Sequence, residues 1–582
     1  MRIITIHCDY IKFKPLKKAL KSAEELNESD KKEKEVKEAL VVLTAVEKGD
    51  SDAQVRELLE AVKKTAGEVK AKTIVLYPYA HLSSNLAAPA AALEHLAHAE
   101  ETLKSAGFSV VRAPFGYYKT FELKCKGHPL SELSKEFRAS KEEDVKDVQK
   151  VIRAEEEKEE EPAKLLTQLS RSKLDTSKLK DNDHRILGQK LDLFSFNEAS
   201  PGQPFWHEKG LVILNELISY WREVHRKAGY QEIATPQLLD NKLWKVSGHW
   251  KFYQENMFIT NYENRSFAVK PMNCPGAMLV YRTKSRSYRE LPLRLAELGV
   301  VHRKELSGVL SGLLRVIRIT QDDAHLFCAK EQLQDEIVNV IKLFKEMLDT
   351  FGFAYTFTIS VRSNEKKEKY IGDDPLWSEA EDALASALKK LKLKYETMRG
   401  EAKFYGPSLD VIIKDSLGRE WQCSTLQLDS NMPKRFELVY TDKDGKEKTP
   451  VVLHRVVFGS LERFIGILLE HTNGALPLWL SPVQVRVINF TDRNTKAAEK
   501  SVEQLKEALP CLRVDTDFRN TTVNDKSRDA ELQKVPYAIV IGDKEEESKT
   551  LAVRERGSNK PKFGIKLADF VKELKEEIEK RI

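Results

Sequence analysis

Alternating runs of apolar and polar positions divide the chain into four segments. In the first, residues 1–140, the apolar runs RIITIH, LVVLTAV and TIVLYPYA have the length and composition of buried strands. Residues 52–72 lie between the last two runs and residues 86–106 follow the third, and both stretches have the pattern of helices. The alternation of strands with helices predicts an α/β domain.

Charge and strand spacing distinguish the next two segments. Residues 141–184 include AEEEKEEEP, and dense charge with few apolar positions favours an exposed helical linker. Residues 185–481 contain the strand-like runs LDVIIKD and RFELVYT, and an apolar helix follows Gly459. Because turns rather than regular helices separate these strands, we expect an antiparallel sheet flanked by helices.

The last segment, residues 482–582, again alternates strands with helices. The runs VQVRVINF, LRVDTDF and YAIVIGD are strand-like, and FVKELKEEIEKRI has the pattern of a helix. The pattern predicts a further α/β module, so the fold class of the whole chain is expected to be α/β multidomain.

Composition limits the classes of protein that fit this pattern. The chain has 582 residues, which is enough for three or four domains, and no long uncharged apolar run that could span a membrane. Its first ten residues lack the features of a signal peptide. The six cysteines are far apart, which indicates a reducing compartment, and we expect a cytoplasmic protein. The net charge of +6 permits an RNA partner without requiring one.

Arginines recur in the third segment in an order that suits a nucleotide ligand. HRKELSG supplies Arg303 and Glu305, LLRV supplies Arg315, and LHRVVFGSLERF supplies Arg463. A guanidinium group binds phosphate oxygens with a planar fork and keeps its charge at any working pH. The sequence has no Gly-rich phosphate loop, so side chains would have to hold the nucleotide. Each arginine alone is more often an ion-pair residue, and only the set indicates a site.

Five motifs follow one another in this segment: KPMNCPG, HRKELSG, TQDDAHLF, WQCSTLQLD and LHRVVFGSLERF. In residues and order they resemble the threonyl-tRNA synthetases, a family of class II aminoacyl-tRNA synthetases, and the resemblance extends over residues 185–582. Residues 1–140 resemble the archaeal-type editing domain of that family, which is related in fold to D-aminoacyl-tRNA deacylases. The resemblance implies a class II catalytic domain over residues 185–481 and an anticodon-binding domain over residues 482–582.

The resemblance implies ATP-dependent activation of threonine and its transfer to tRNA(Thr), with magnesium accompanying ATP. Arg303 would hold the α-phosphate and Arg463 the γ-phosphate, while Arg315 would stabilise the charge that develops between them. Glu305 would contact the adenine edge. Ile319 stands where the family usually carries an aromatic residue that stacks on adenine, so we expect weaker ATP binding here.

The resemblance also gives Cys274 two distant partners. A lone cysteine is usually a small buried hydrophobic residue, and the spacing alone does not connect it to any histidine. In the family, the positions of Cys274, His325 and His454 bind one zinc ion, whose open coordination positions take the amino and hydroxyl groups of threonine. The other threonine-binding residues that the resemblance implies are Gln321, Asp323, Tyr405, Gln422 and Gln427.

A threonine site built on a metal predicts a second, corrective site. Valine has no hydroxyl group to fill the metal position, but serine keeps both ligating groups and lacks only a methyl group. One methyl group is worth about 1–3 kcal/mol, which is too little for accurate discrimination. The resemblance therefore implies hydrolysis of mischarged seryl-tRNA(Thr) in the first segment. The residues implied for that pocket are His81, Tyr118, Lys119 and Glu132.

Two further partners follow from the same resemblance. In the last segment, side chains that read exposed base edges are expected at the positions that match the family. These candidate anticodon-binding residues are Asn520, Arg528, Glu545 and Arg554. Pro236 lies in the first class II motif, where the family builds its dimer interface, so a homodimer is expected.

Two alternatives stay open on the sequence alone. One is an RNA-binding or regulatory protein derived from a synthetase that no longer activates an amino acid, although the intact arginines and zinc ligands weigh against it. The other is a related synthetase of different specificity, such as seryl or prolyl. Threonine-dependent pyrophosphate exchange distinguishes the first alternative, and removal of the proposed zinc ligands tests the second.

Overall fold

The computed structural model describes the parts of the chain that form the fold and the candidate sites. These are residues 1–20, 25–28, 30–83, 85–128, 130–137, 179–263, 265–363, 374–403, 406–558 and 560–581, with the single residues 23, 166, 169, 177 and 370. The chain forms two compact units, Met1–Glu161 and Pro162–Ile582. Most of the predicted linker, residues 141–184, lies outside the described residues, and so does Tyr405.

The apolar runs at the start of the chain form a mixed sheet in the first unit. The strands are β1 (Arg2–Lys18), β2 (Lys34–Ala45), β3 (Thr73–Pro78), β4 (Ser109–Arg112), β5 (Tyr117–Cys125) and β6 (Glu132–Glu136), and the helices are α1 (Asp52–Glu68) and α2 (Pro89–Ser105). The strand order is β4-β3-β2-β1-β5, and β6 also pairs with β1. Strands β2, β3 and β4 are parallel to one another. The predicted α/β fold of this segment is confirmed.

Both faces of this sheet are covered. Val42 and Ile74 join Leu96 of α2 in one buried cluster, whereas the neighbouring positions Val41 and Val75 belong to a second cluster on the other face. Adjacent strand residues point to opposite faces, and a parallel sheet with both faces buried therefore has continuous apolar strands. This is why LVVLTAV and TIVLYPYA contain so few polar residues.

Both helices of the first unit are shorter than the sequence pattern predicts. The expected range 52–72 ends at Glu68, because Lys70 adopts a left-handed conformation with φ of 56°. The expected range 86–106 begins only at Pro89, which occupies the first turn, where the missing N–H of proline costs no helical hydrogen bond.

An eight-stranded sheet organises the larger part of the second unit. Its order is β16-β15-β17-β18-β21-β14-β13-β9, antiparallel except at the two edge pairs β16-β15 and β13-β9. The sheet confirms the predicted class II architecture of an antiparallel sheet flanked by helices. The strands of this part are β7 (Phe194–Ser195), β8 (Phe205–Trp206), β9 (Gln231–Glu232), β10 (Leu238–Asp240), β11 (Ile259–Tyr262), β12 (Arg265–Val269), β13 (Leu293–His302), β14 (Arg318–Cys328), β15 (Ala354–Val361), β16 (Tyr395–Arg399), β17 (Ser408–Lys414), β18 (Glu420–Asp429), β19 (Tyr440–Thr441), β20 (Glu447–Lys448) and β21 (Val451–Ser460).

Helices cover one face of this sheet and enclose the largest apolar core. Ala324, Leu326 and Leu453 of the sheet pack there with Phe344 and Phe464 from two of the helices. The helices of this part are α3 (His184–Lys190), α4 (Glu208–Lys227), α5 (Asn241–Ser247), α6 (His249–Tyr253), α7 (Cys274–Arg282), α8 (Leu333–Asp349), α9 (Asp374–Lys390), α10 (Met432–Arg435) and α11 (Leu461–Thr472).

Helix α11 carries Arg463 and is defined at both ends by local interactions. The Ser460 side chain accepts the Arg463 N–H as N-cap, and Asn473 ends the helix in a left-handed conformation with φ of 51°. Leu461 and Phe464 are buried along the same face, whereas Arg463 is exposed. The amphipathic pattern after Gly459 therefore presents one arginine to solvent from a helix that is otherwise held in the core.

The C-terminal module contains a five-stranded sheet in the order β23-β22-β24-β25-β26. Its strands are β22 (Val485–Asn489), β23 (Val514–Asp517), β24 (Tyr537–Ile541), β25 (Leu551–Glu555) and β26 (Lys562–Ile565), and its helices are α12 (Thr495–Ala508), α13 (Val523–Leu532), α14 (Asp543–Ser548) and α15 (Leu567–Lys580). It contacts α4 through Arg513 and Glu216, whose Nη1 and Oε1 atoms lie 2.7 Å apart, and through Arg581 and Glu223. Among the described residues, no helix is both long and apolar enough to cross a lipid bilayer.

A buried ion pair provides a test of how the second unit is stabilised. Lys270 Nζ donates to Glu297 Oε1 over 2.8 Å and to Thr235 Oγ1 over 2.8 Å, and both charged side chains are almost completely buried. We expect Glu297→Ala to lower the free energy of unfolding by about 3–5 kcal/mol, because it leaves the Lys270 charge buried without its partner. The measurement is urea unfolding followed by tryptophan fluorescence, since all seven tryptophans lie in the second unit.

The matched control removes a carboxylate from an exposed pair in the same unit. Glu232 pairs with Arg222 on the surface. Glu232→Ala should cost less than about 1 kcal/mol. Equal losses for the two substitutions would contradict the structural importance of the buried pair.

Candidate active site

One face of the eight-stranded sheet is polar, and we call it the polar floor: Gln321, Asp323, His325, His454 and Gln427. β14 presents Gln321, Asp323 and His325 at every second position, so all three side chains lie on the same face. On the neighbouring strands His454 pairs with His325, and Gln427 pairs with His454. Strand pairing therefore brings together residues that are far apart in the chain.

Cys274 completes a cluster of possible metal ligands above this floor. It begins α7, and ligand atoms of Cys274, His325 and His454 all lie within 4.8 Å of one another. Both histidines are buried and Cys274 is half-buried. His454 Nε2 is 3.0 Å from Oδ2 of the buried Asp429, which orients the ring. The three predicted zinc ligands thus meet in the folded chain.

The protonation behaviour of the two histidines differs. Desolvation lowers the pKa of His454, but the negative charge of Cys274 and the hydrogen bond with Asp429 outweigh it and raise the pKa to about 10. Burial, and then the charge of His454, hold the pKa of His325 well below its usual range. The surroundings of His454 therefore favour a positive charge, whereas His325 is a neutral imidazole, the form that ligates metals.

Asn273 organises the floor beside the cluster, and sequence reasoning did not identify it. Its Nδ2 donates to Asp323 Oδ2 over 3.1 Å and to Gln321 Oε1 over 3.4 Å. Burial raises the pKa of Asp323 to about 6, and the Asn273 hydrogen bond opposes this rise. The amide lies directly over Gly299, where an added Cβ atom would be 2.2 Å from Asn273 Oδ1. Only glycine on β13 leaves room for this side chain.

Gln422, another predicted threonine-binding residue, is held by a buried carboxylate. Its Nε2 donates to Asp410 Oδ1 over 2.7 Å, and Thr425 donates to the same oxygen over 2.8 Å. Ser360 and Ser408 donate to the other oxygen over 2.9 and 3.0 Å. A bulge in β18 between Gln422 and Thr425 aligns these side chains. Asp410 is therefore an organising residue without a recognisable sequence motif.

Three arginines lie close to one another near the start of β14, away from the proposed metal ligands. Arg303 follows β13, Arg315 precedes β14, and Arg463 lies in the first turn of α11. Desolvation by the surrounding protein atoms, and then the positive charges of Arg303 and Arg315, lower the pKa of Arg463, while part of its side chain still reaches solvent. Arg463 Nε donates to the Leu314 carbonyl over 2.8 Å, and Arg315 Nη2 donates to Glu305 Oε2 over 2.8 Å. The region carries an excess of positive charge suited to a polyanionic ligand.

Asp322 and Ile319 show how β14 connects this region to the core. Asp322 is fully buried on the core side, and its carboxylate accepts the N–H groups of Val457, Phe458 and Gly459. Burial raises the pKa of Asp322 to about 6, although these hydrogen bonds oppose the rise. Ile319 pairs with Val301 and is half-buried. A buried carboxylate therefore fixes the backbone at the end of β21, directly before α11 and Arg463.

The first unit contains a separate pocket of about 350 Å³, lined by His81, Tyr118 and Lys119 among other, mainly apolar residues. Lys119 Nζ donates to the Pro114 carbonyl over 2.8 Å, and burial lowers its pKa to about 8. Glu132, on β6, pairs with Ile6 of β1. It is exposed and does not line this pocket. Three of the four predicted editing residues therefore share the pocket.

The predicted anticodon residues lie on one module but not at one point. Asn520 follows β23 and Glu545 lies in the first turn of α14, which follows β24, so both lie near the carboxyl ends of parallel strands. Arg528 is exposed on α13. Arg554 pairs with Ala538 near the start of β24, and its Nη2 is 3.2 Å from Glu531 Oε2. The candidates extend along the sheet rather than forming a cluster.

Three family models match consecutive parts of the chain. Residues 1–137 match the "Archaea-specific editing domain of threonyl-tRNA synthetase". Residues 257–472 match the "tRNA synthetase class II core domain (G, H, P, S and T)", and residues 484–577 match the "Anticodon binding domain".

Similar proteins cover about two thirds of the chain. The threonine–tRNA ligases of Desulforamulus reducens and Carboxydothermus hydrogenoformans are 50% and 51% identical over 402 and 406 residues, which is 69% of this chain. The chain spans 62% of the length of each of these relatives. A crystal structure titled as the RNA binding domain of threonyl-tRNA synthetase from Cryptosporidium parvum is 38% identical, with a TM-score of 0.65, and the match covers 68% of this chain and 98% of that one.

The contact between Asn273 and Gly299 predicts the effect of one added methyl group. We expect Gly299→Ala to lower the free energy of unfolding by about 1–3 kcal/mol, because the buried amide cannot move without losing its two hydrogen bonds. The measurement is urea unfolding followed by tryptophan fluorescence. Gly308→Ala is the control, since a Cβ atom there meets nothing within 4 Å. A Gly299→Ala protein as stable as the control would show that the floor repacks freely.

Proposed function

Because the chain belongs to the threonyl-tRNA synthetase family, we propose that it is a threonine–tRNA ligase with editing activity. It activates L-threonine with ATP, transfers it to tRNA(Thr) and hydrolyses mischarged seryl-tRNA(Thr). The observation that carries the proposal is the meeting of Cys274, His325 and His454 beside Asp323 on the polar floor.

The three side chains have the chemistry of a catalytic zinc site. One sulfur and two imidazole nitrogens fill three positions of a tetrahedral metal and leave the fourth open, and zinc can accept a fifth ligand. His325 Nε2 is buried and has no hydrogen-bond partner among the described residues, as expected of an atom reserved for a metal. The carboxylate of Asp429 holds His454, as carboxylates commonly hold metal-bound imidazoles. A zinc ion held there would act as a Lewis acid toward the amino and hydroxyl groups of threonine.

The side chains of the floor supply the remaining recognition of threonine. Asp323 accepts a hydrogen bond from the amino or hydroxyl group, and Asn273 keeps its carboxylate in place. Gln321 and Gln427 lie on the same face, while Gln422 is oriented by Asp410. Valine, which is nearly isosteric with threonine, cannot fill the hydroxyl position and is rejected.

The arginine region binds the phosphates of ATP, which enters with magnesium. We assign the α-phosphate to Arg303 and the γ-phosphate to Arg463, with Arg315 stabilising the charge that develops when the threonine carboxylate attacks phosphorus. Desolvation and then the repulsion from Arg303 and Arg315 lower the pKa of Arg463, and the polyphosphate relieves this repulsion. Glu305, which holds Arg315 in this structure, contacts the adenine edge when ATP is bound.

The pocket of the first unit removes serine. Serine carries both groups that the zinc site recognises. The polar floor can therefore discriminate against serine only through its missing methyl group, which is worth about 1–3 kcal/mol. Lys119 supplies a partly buried positive charge, which suits the oxyanion formed during ester hydrolysis. His81 and Tyr118 are assigned to the seryl-tRNA(Thr) end, and Glu132 is assigned there on the family resemblance alone.

The tRNA partner is bound by the C-terminal module, and the active protein is a cytoplasmic homodimer. Asn520, Arg528, Glu545 and Arg554 are assigned to the anticodon as readers of exposed base edges and backbone. The dimer is supported by Pro236 and by exposed apolar side chains on the three-stranded sheet β10-β12-β11. These side chains are Leu238, Ile259 and Tyr262.

Loss of one proposed zinc ligand tests the synthetic function. We expect Cys274→Ser to reduce zinc from about one ion per chain to almost none. Threonine-dependent ATP–pyrophosphate exchange should fall by more than about 100-fold, because loss of a residue that merely supports a metal ligand already costs up to about 100-fold. Metal analysis and the exchange assay are made on the same preparation.

Cys511→Ser, which changes an exposed cysteine of the same unit, should leave both values unchanged. Activity that persists in Cys274→Ser without metal would refute the ligand assignment. Zinc-loaded wild-type protein without exchange would instead favour the RNA-binding alternative, and exchange that depends on serine or proline but not on threonine would favour the other synthetases.

The editing assignment predicts a selective defect. In Lys119→Ala, hydrolysis of seryl-tRNA(Thr) should fall about 100-fold, because one stabilising charge at the oxyanion is lost, while threonine-dependent exchange stays normal. Mischarged product should therefore accumulate when serine and tRNA(Thr) are supplied. Lys124→Ala, an exposed lysine on the same strand, is the control. Unchanged hydrolysis in Lys119→Ala would refute the assignment.

Lys119 also predicts how the hydrolysis of seryl-tRNA(Thr) depends on pH. Burial lowers the pKa of Lys119 to about 8, so its ammonium charge is present below that pH and is lost as the pH rises through it. We expect enzyme-dependent hydrolysis, corrected for spontaneous hydrolysis, to decline above about pH 8. An arginine keeps its charge in this range, so the rate of Lys119→Arg, even if lower overall, should not decline. Parallel pH profiles for the two proteins would contradict this explanation.

The homodimer is tested by light scattering after size-exclusion chromatography. The wild-type protein is expected at twice the mass of one chain, and Leu238→Glu at the mass of one chain, because a buried unpaired carboxylate opposes association. Leu417→Glu, at another exposed leucine outside the three-stranded sheet, should remain dimeric. A wild-type monomer would refute the homodimer.

A further inference from the structure

The connection between β13 and β14 determines where two of the three arginines lie. Arg303 and Arg315 are at its two ends, and its turn, Gly312–Leu314, passes beside α11. Arg463 of α11 donates from Nε to the Leu314 carbonyl over 2.8 Å. The turn therefore leads directly into Arg315 and accepts a hydrogen bond from Arg463.

A buried histidine from a distant part of the chain contacts the same turn. His184, the first residue of α3, is completely buried, and its Nε2 accepts the Leu313 N–H over 3.0 Å. Because Nε2 is an acceptor here, the ring proton must be on Nδ1. Nδ1 lies 2.6 Å from Glu470 Oε1 and donates to it. The two nitrogens of one neutral ring thus join Leu313 to Glu470.

Glu470 is fixed in turn by other contacts. Its Oε1 also accepts the His184 backbone N–H over 3.1 Å, and its Oε2 is paired with Arg419. Glu470 belongs to α11, the helix that carries Arg463. The helix therefore holds the turn at two points, directly through Arg463 and indirectly through Glu470 and His184.

The packing leaves no space for an alternative position of the turn. Gly312 has a φ of 50°, and a Cβ atom added to it would be 2.2 Å from His184 Nε2. On the other side, Gly466 of α11 would bring a Cβ atom within 3.3 Å of the Leu313 Cβ. Two glycines therefore allow the imidazole ring and the helix to touch the backbone of the turn.

Asp183, His184 and Glu470 are also close enough to one another to suggest a metal site. Their hydrogen bonds exclude this reading. The Leu313 N–H occupies Nε2, Nδ1 carries the proton that Glu470 accepts, and Asp183 is paired with Arg185. Neither ring nitrogen has a lone pair left for a metal.

We propose that His184 is a positioning residue for ATP: by accepting the Leu313 N–H while anchored to Glu470, it holds the turn that aligns Arg315 with Arg463. The inference rests on the proposed function, because it takes ATP as the ligand of these arginines. His184 touches no substrate. It acts through the backbone of the turn.

Two amide substitutions test the two hydrogen bonds of the His184 ring separately. Asparagine places its amide near the position of Nδ1, so His184→Asn keeps a donor for Glu470 but loses the acceptor for Leu313. Glutamine reaches the position of Nε2, so His184→Gln keeps that acceptor. The wild-type full-length protein and both variants are assayed by threonine-dependent ATP–pyrophosphate exchange, with KM measured separately for ATP and for threonine. KM does not depend on the fraction of protein that has folded.

We expect His184→Asn to raise the KM for ATP about tenfold, because a buried N–H without an acceptor displaces the turn. The KM for threonine should change less than about twofold, and the zinc content should stay at the wild-type value, since the threonine site is held by other strands. His184→Gln should recover most of the ATP affinity. His207→Asn, at another doubly hydrogen-bonded histidine, should leave both KM values unchanged.

An unchanged KM for ATP in His184→Asn would overturn the inference, and so would equal increases of both KM values in both variants, which indicate a general structural role. A loss of zinc from His184→Asn would overturn it in favour of a metal site. If the wild-type protein shows no threonine-dependent exchange, the proposed function itself fails, and this inference fails with it.

Discussion

The alternation of side chains along β14 and β21 is the constraint on which the second unit depends. Successive strand residues point to opposite faces, so Ala324 and Leu326 enter the core while Asp323 and His325 face the polar floor. Sliding β14 by one residue would bury the polar set and expose the apolar one. The apolar core therefore selects the register, and the register assembles the site. Stability and function depend here on the same pairing.

Two regions of opposite charge lie along this sheet. At one, Cys274 and Asp429 favour a positive charge and raise the pKa of His454. At the other, desolvation and then the positive charges of Arg303 and Arg315 lower the pKa of Arg463. Such shifted pKa values mark both regions as candidate ligand sites, the first suited to a cation and the second to a polyanion. One sheet holds both regions, since β14 carries His325 and begins three residues after Arg315.

The residues that position the site are mostly buried polar groups in contact with a glycine or with backbone. Asn273 lies over Gly299, and His184 lies against Gly312. Asp322 accepts three consecutive N–H groups at the end of β21. A buried polar group is stable only when its hydrogen bonds are made, so each of these residues specifies one arrangement of its neighbours.

The sequence by itself determined the α/β class of the first and last segments, the helix after Gly459 and the identity of the motifs that carry the arginines, because hydrophobic periodicity and local residue order are properties of neighbouring positions. Only the tertiary structure decided that Cys274, His325 and His454 meet, because strand pairing joins residues far apart in the chain. It also decided which polar residues support the site. Asp410, Asn273 and His184 have no local signature, since their roles come from the groups that surround them after folding.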